Sequence, residues 1–241
     1  MDIENLLENY QPSEEVKQVV RSTPLILLVG ISGAGKDSVK KLLHETGQYH
    51  DFVSYTTRPM RTNNGVPEQN GVEYHFIAID EMQSLLEKGE MIEAKMYSGN
   101  IYGTGISELK AAEREGKVAL NDIEVRGVKE YKDISPDVKA VFLLPPSYEE
   151  WRRRLETRYG NSNSAHDNLD QRLAAAKYEL KEALERGYYI FVVNDALEET
   201  VNKIAAIVEN TYSPEEQDLG KRLASQLFDD ITKYLLEPEL S

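Results

Sequence analysis

Apolar and polar positions alternate along the chain with two different periods. Ile3, Leu6, Leu7 and Tyr10 share one face at helical spacing, and Pro12-Ser13 opens a second short helix, so residues 1–22 read as a helical appendage. Leu25 to Val29 is an unbroken apolar run of strand length, the pattern of a strand covered on both faces. Glycines at 30, 33 and 35, then Lys36, separate it from the helical stretch Val39 to His44. Residues 50–110 change character. They are rich in Tyr, Thr, Asn and Gly, with short alternating segments such as Val72 to Ile77, and predict a small, partly β insertion with a helix near 80–88.

From residue 117 the α/β rhythm returns. Val118 to Leu120 reads as a strand ending in Asn121-Asp122, and Ala140 to Leu144 as another, closed by Pro145-Pro146. Ser147 is placed to cap a helix running to about Arg158, with Glu149 and Glu150 in its first turn. A polar, flexible loop at 159–167 precedes a helix from about 168 to 186. Tyr189 to Val193 is a last apolar strand, and Val201 to Val208 belongs to the next helix. Beyond Pro214, Leu219, Leu223, Leu227, Ile231 and Leu235 recur every four residues and predict a final amphipathic helix. There is no internal repeat. Strands alternating with helices predict an α/β fold, with a largely parallel sheet covered by helices.

Composition narrows the function. A length of 241 residues with 40% hydrophobic content suits one α/β domain with extras, or at most two small domains. Cysteine is absent, which excludes disulfides, a thiolate nucleophile and a Cys-ligated metal, and suits a reducing compartment. No apolar run approaches the roughly 20 residues that span a bilayer, and the first ten residues lack a signal peptide's basic start, so no membrane association is expected. The net charge of −14, from 28 basic and 42 acidic residues, argues against sequence-independent nucleic-acid binding. It leaves small anionic ligands open, because a few local arginines can hold a phosphate in an acidic protein.

The strongest motif is Gly30-Ile31-Ser32-Gly33-Ala34-Gly35-Lys36-Asp37-Ser38, between a strand and a helix. Glycines let successive N–H groups curl around a polyphosphate, the helix N-terminus adds positive potential, and Lys36 can reach the terminal phosphates. A glycine-rich turn needed only for close packing is the plainer alternative. Asp37 is unusual there, since a carboxylate repels phosphates unless it points away or meets a metal. Asp122, at a strand end, fits either a helix cap or a carboxylate positioning Mg²⁺; the phosphate loop favours the second. Next comes Ser54-Tyr55-Thr56-Thr57-Arg58-Pro59-Met60-Arg61, whose two arginines can fork onto a dianionic phosphate. Gly71-Val72-Glu73-Tyr74-His75-Phe76 and Ser98-Gly99-Asn100-Ile101-Tyr102-Gly103-Thr104 follow. Alone, these arginines and tyrosines would more often be surface charges and packing groups.

Together the segments resemble the guanylate kinase family over about residues 24–210. The likeness includes the phosphate loop, T-T-R-x-x-R, Glu-Tyr-His-Phe, Ile92-Glu93, Tyr-Gly-Thr, Asp122 with Gly127, Leu-Pro-Pro-Ser, an arginine-rich lid and Val-Asn-Asp at 193–195. It implies a P-loop kinase domain at 23–211 with a GMP-binding insertion at about 50–110 and a mobile lid at about 152–172. The segments 1–22 and 212–241 are extra helices. The implied reaction transfers the ATP γ-phosphoryl in line to GMP, and to dGMP, with Mg²⁺. By resemblance, Gly30, Ser32, Gly33, Ala34, Gly35, Lys36, Asp37, Ser38 and Asn194 bind ATP, with Asn194 at the adenine, and Ser38 and Asp122 hold the metal. Arg58, Arg61, Tyr74 and Tyr102 clamp the GMP phosphate, while Ser54, Glu93, Thr104 and Glu124 read guanine. The chemistry agrees: a carboxylate accepts from guanine N1 and N2, and a hydroxyl can donate to O6, whereas adenine would leave buried groups unpaired.

Arg154, Arg158 and Arg172 are implied contacts to the transferred phosphoryl when the lid closes, with Lys36 as the fourth catalytic residue. Arg152 and Arg153 read as a solvated face and Trp151 as packing. No general base is required, because the acceptor phosphate is already ionised. His44 and His50 read as boundary residues, and His75 and His166 have no evident base role. The chain departs from the family's usual pattern at Glu124, at Arg126, at Ala94 after Glu93, and in a long 62–73 connection; these bear on base selectivity more than on reaction class. Two other readings stay open: a same-fold kinase for another phosphorylated acceptor such as a ribose bisphosphate, and a non-catalytic interaction module. A cytoplasmic monomer or homodimer is expected.

Overall fold

The computed structural model describes residues 3–63, 65–159 and 165–236. In chain order it contains α1 (Ile3–Glu8), α2 (Glu14–Ser22), β1 (Leu25–Gly30), α3 (Lys36–Glu45), β2 (Tyr49–Asp51), β3 (Tyr55–Thr56), β4 (Thr62–Asn63), β5 (Val66–Pro67) and β6 (His75–Phe76). Then come α4 (Ile79–Glu87), β7 (Met91–Tyr97), β8 (Asn100–Gly105), α5 (Ile106–Glu115), β9 (Val118–Asp122), α6 (Val125–Ile134) and β10 (Lys139–Leu144). The last elements are α7 (Tyr148–Tyr159), α8 (Ala165–Glu185), β11 (Tyr189–Val193), α9 (Leu197–Val208) and α10 (Pro214–Leu236). The chain divides into two compact units. The first comprises residues 1–25, 47–121 and 129–138; the second comprises 26–46, 122–128 and 139–241.

The second unit is built on parallel strands. β10 pairs with β1 on one side (Leu28↔Val141) and β11 on the other (Phe142↔Phe191). Every residue of β1 is buried, and all but the first of β10, which is the signature of a parallel sheet covered on both faces. The apolar run at 25–29 therefore forms the strand its pattern predicts. α7 is capped at Ser147, whose hydroxyl accepts from the Glu150 N–H at 3.1 Å. α8 starts three residues earlier than its pattern suggests; residues 160–164 of the expected loop lie outside the described residues.

The leucine spacing of α10 needs a correction. Leu219 is exposed, and the buried face runs through Gly220, Ala224, Leu227 and Ile231. A strict four-residue repeat drifts by about 40° per step against a helix of 3.6 residues per turn, so five such positions cannot share one face. The buried set alternates steps of four and three, and packs on α8 and β11.

The first unit contains the insertion. Its sheet has the order β6-β3-β8-β7, antiparallel except for β3 with β6, and β7 is an edge. β2 and β9 pair in parallel. The 62–73 connection includes the antiparallel pair β4–β5, which accounts for its length. α1 packs on a core of Met82, Leu86, Met91 and Ile101, and α2, capped by Ser13, buries Val16 and Val20. Among the described residues no helix is long and apolar enough to cross a membrane.

Candidate active site

In the second unit the phosphate loop leaves β1 and enters α3 through Gly35, which takes the left-handed conformation (φ 95°) that a side chain would resist. The loop is braced from three directions. The Asn194 side-chain amide donates to Ala34 O at 2.8 Å, the Trp151 indole N–H donates to Ser32 O at 2.7 Å, and Arg172 Nη1 donates to Ser32 Oγ at 3.3 Å. Lys36 Nζ reaches back to Gly30 O at 2.7 Å. A Cβ on Gly35 would meet Asn194 Nδ2 at 2.3 Å, while Gly33 is held by its left-handed φ of 85°, with Leu155 3.0 Å from where its Cβ would lie. Ala34 is fully buried, while Asp37 and Ser38 face outward at the start of α3.

The arginines expected in the lid gather on this loop. Arg154 donates to Glu150 Oε1 at 2.8 Å and to Asn194 O at 3.3 Å. Arg158 Nη2 lies 3.5 Å from Asp37 Oδ2, so the odd carboxylate turns toward Arg158 and solvent. Asn194, expected at an adenine, is 3% exposed, with its Oδ1 accepting from Thr200 at 3.0 Å and its Nδ2 on the loop. Its side chain is placed as a loop brace. Trp151 is likewise more than packing, and Arg152, read as solvated, lies 4.8 Å from the Tyr234 ring of α10; Arg153 is exposed as expected.

Beside Lys36 is a cavity of about 230 Å³, lined also by Asp122, Glu124 and Glu179. Burial pushes the Glu179 carboxyl up to about 7, with Lys36 opposing and Glu124 adding to the rise. Neither motif nor resemblance pointed to Glu179. Among the described residues no preformed cluster of three or more metal-ligating side chains occurs.

In the first unit Glu93 of β7 faces Thr104 of β8 in register, and Thr104 Oγ1 donates to Glu93 Oε1 at 3.0 Å. Burial raises the Glu93 pKa to about 7; Glu130 adds to this, and Thr104 and Lys95 oppose it. Behind them the fully buried Tyr131 hydroxyl hydrogen-bonds Thr104 and accepts from Asn121 Nδ2 at 2.9 Å. The Thr104 proton is thus directed at Glu93, and the Thr104 hydroxyl positions that carboxylate.

Arg58, 6% exposed, forks onto Glu68 with bonds of 2.8 and 2.9 Å, donates to Pro59 O, and lies 5.4 Å from the Tyr74 and Phe76 rings. The same Glu68 accepts from the Arg61 N–H at 2.7 Å, and Arg58 first and Arg61 second hold its carboxyl down to about 2. Glu68 thus shapes the T-T-R-x-x-R turn. Tyr74 and Tyr102 pack edge to face at 5.8 Å, and the Arg61 side chain is exposed. Ser54 carries β3 into place through its carbonyl, which accepts from the His75 N–H at 2.9 Å. Glu124 belongs to the second unit, on the Lys36 cavity.

The family model described as "Guanylate kinase" matches residues 21–211. The chain belongs to the guanylate kinase family. It is 36% identical to a guanylate kinase of Bdellovibrio bacteriovorus over 78% of its own length and 97% of that protein's. It is 35% identical to one of Schizosaccharomyces pombe over 76% and 88% respectively. The solved guanylate kinase of Anaplasma phagocytophilum superposes with a TM-score of 0.52 at 28% identity, covering 79% of this chain and 87% of that one.

Within this guanylate kinase framework the departures find local partners. Arg126 lies over the Tyr178 ring at 4.9 Å and donates to its hydroxyl at 3.3 Å, so its charge is held on α8. Ala94 packs on the α1–α4 core, and a Cβ at Gly103 would come within 3.0 Å of its own. His50 and His75 are joined by the buried Glu108, at 3.3 and 3.0 Å, which also accepts from the Val53 N–H. Both histidines are therefore structural links of the insertion. The His166 side chain lies outside what is described.

Proposed function

We propose that this guanylate kinase family member transfers the γ-phosphoryl of ATP in line to GMP, and to dGMP. The observation that carries the reading is the meeting of Lys36, Arg154, Arg158 and Arg172 around one braced phosphate loop, in a chain of this family. Lys36 and the three arginines would neutralise the transferred phosphoryl, with Gly30 to Ser38 cradling the donor phosphates. Ser38 and Asp122 would hold Mg²⁺, which supplies charge neutralisation between donor phosphates. Arg58, Arg61, Tyr74 and Tyr102 would bind the acceptor phosphate, with Arg58 presented by Glu68. Ser54, Glu93, Thr104 and Glu124 would read guanine. The acceptor is already an anion at neutral pH, so charge and position take the place of a general base. The absence of cysteine suits a reducing compartment, and a cytoplasmic setting is proposed with it, for a chain that is a monomer or homodimer.

A coupled assay with ATP, Mg²⁺ and a panel of nucleoside monophosphates tests this. ADP release with GMP and dGMP, and little with AMP, is expected; no release with either guanine nucleotide would refute it. No specific observation favours a bisphosphate acceptor or a non-catalytic module.

A further inference from the structure

Residues 3–20 lie outside the span matched by the family, yet they fold into the unit that carries Glu93. Ile3, Leu6, Leu7 and Tyr10 pack against Met82, Leu86, Met91 and Ile101. β7 is an edge strand, so one side of its backbone lacks a strand partner. At Met91 a single side chain takes that place. The Tyr10 hydroxyl donates to Met91 O at 2.5 Å and accepts from the Met91 N–H at 2.9 Å. Just upstream the Ser13 N–H donates to Gly89 O at 3.0 Å, and a Cβ on Gly89 would strike Ser13 N at 2.9 Å.

The place that Tyr10 holds matters. The β7–β8 register shifts between Met91 and Glu93, so an irregularity lies directly between the held residue and the carboxylate. A bulge re-aims the side chains beside it. A small backbone rotation at Met91 would therefore turn Glu93 relative to Thr104. Burial raises the Tyr10 pKa well above its ordinary value, which keeps the hydroxyl a donor throughout the physiological range.

We propose that Tyr10 is a positioning residue for the acceptor base: its hydroxyl pins the irregular start of β7 and so sets the angle at which Glu93 meets the purine. The proposal rests on the reading of Glu93 as a guanine contact. It gives the N-terminal segment a part in substrate choice, where a mere staple would affect stability alone.

The test is Tyr10→Phe in the full chain, which keeps the ring and removes both hydrogen bonds. Steady-state kinetics with GMP and with IMP, which lacks the 2-amino donor, are read at saturating ATP beside the melting temperature. Expected is a rise in KM for GMP of about tenfold, on the scale of one or two lost hydrogen bonds, with kcat and the KM for ATP unchanged. The preference for GMP over IMP in kcat/KM falls with it. In a Glu93→Gln background the same substitution no longer moves that preference. A lower melting temperature with wild-type KM and preference would overturn the proposal and leave Glu93 standing. If Glu93→Gln itself leaves the preference intact, the guanine contact fails and the proposal with it, at a different residue. Hydrogen exchange on the unmodified protein is a second readout: a slowly exchanging Met91 amide is expected, and rapid exchange there would also overturn the proposal.

Discussion

A carboxyl with a pKa of about 7 on β7 has a direct consequence for binding. Guanine N1 and N2 donate, so in the guanine-reading role proposed above Glu93 has to be ionised to accept from both, and burial leaves it part-protonated near neutrality in the free protein. GMP affinity should therefore rise from about pH 6 to about pH 8, with proton release on binding near pH 7. The GMP phosphate also titrates in this range, so Glu93→Gln is the control: it retains the phosphate's share and loses the rest. Calorimetry in buffers of different ionisation enthalpy measures the difference, and equal proton release in both proteins would exclude Glu93. The stability sign follows from the same shift. Because the folded pKa lies above the ordinary 4.5, Glu93 is least unfavourable at low pH, and the free protein loses its contribution as pH rises through about 7. Lys36, seated on Gly30 O, is proposed to serve the phosphoryl donor. Lys36→Ala should cut kcat by about 10² or more, on the scale of removing one preorganised donor, with the fold intact by circular dichroism. A near-wild-type rate would remove it from the mechanism.

At the scale of elements, the phosphate loop is held by side chains from α7, α8 and the end of β11. Trp151 is the only tryptophan in the sequence, and its indole N–H is bonded to the loop carbonyl of Ser32. ATP with Mg²⁺ should therefore change the intrinsic fluorescence in a saturable titration, while GMP alone should leave it nearly constant. An unresponsive emission with ATP turnover intact would mean that the loop and α7 do not move with the nucleotide. This brace also marks where sequence reading stops. The loop, the T-T-R-x-x-R turn and the strand-end Asp122 were legible because each is a short string whose chemistry is local. Trp151, Asn194 and Glu68 owe their roles to partners that packing brings near: Trp151 meets a residue 119 positions away and Asn194 one 160 away. Tyr131 and Asn121 form a buried pair behind Thr104 that no motif announces. In α10 spacing by four follows one face for about two turns and then drifts off it, so the leucine stripe and the buried face share only Leu227 and Ile231.

At the scale of the whole chain, the two segments beyond the family span do the same physical job in separate units. Tyr10 takes both backbone groups of Met91 on the edge strand β7. At the other end, β11 is also an edge strand, and Gln217 of α10 accepts from the Phe191 N–H at 2.8 Å and donates to Tyr189 O at 3.0 Å. Tyr212 donates to Phe191 O at 2.8 Å. An uncovered edge is a template for pairing with another chain, so these side chains act as substitutes for a missing strand. Residues 1–22 and 212–241 also carry half of the excess negative charge, with 5 acids against 2 bases and 7 against 3. Removing 212–241 should then expose both the β11 edge and the apolar ground under Ala224, Leu227 and Ile231, and light scattering should show self-association that grows with concentration. A truncated chain that keeps the full chain's oligomeric state and melting temperature would show that α10 is dispensable. Gly220→Ala separates edge cover from packing. Alanine is the better helix former by about 1 kcal/mol, yet its Cβ would lie 2.7 Å from the Phe191 backbone oxygen, which cannot swing aside. Overpacking should prevail by about 1–3 kcal/mol, or several degrees in melting temperature, with KM values and solution mass unchanged because Gln217 and Tyr212 still cover the strand.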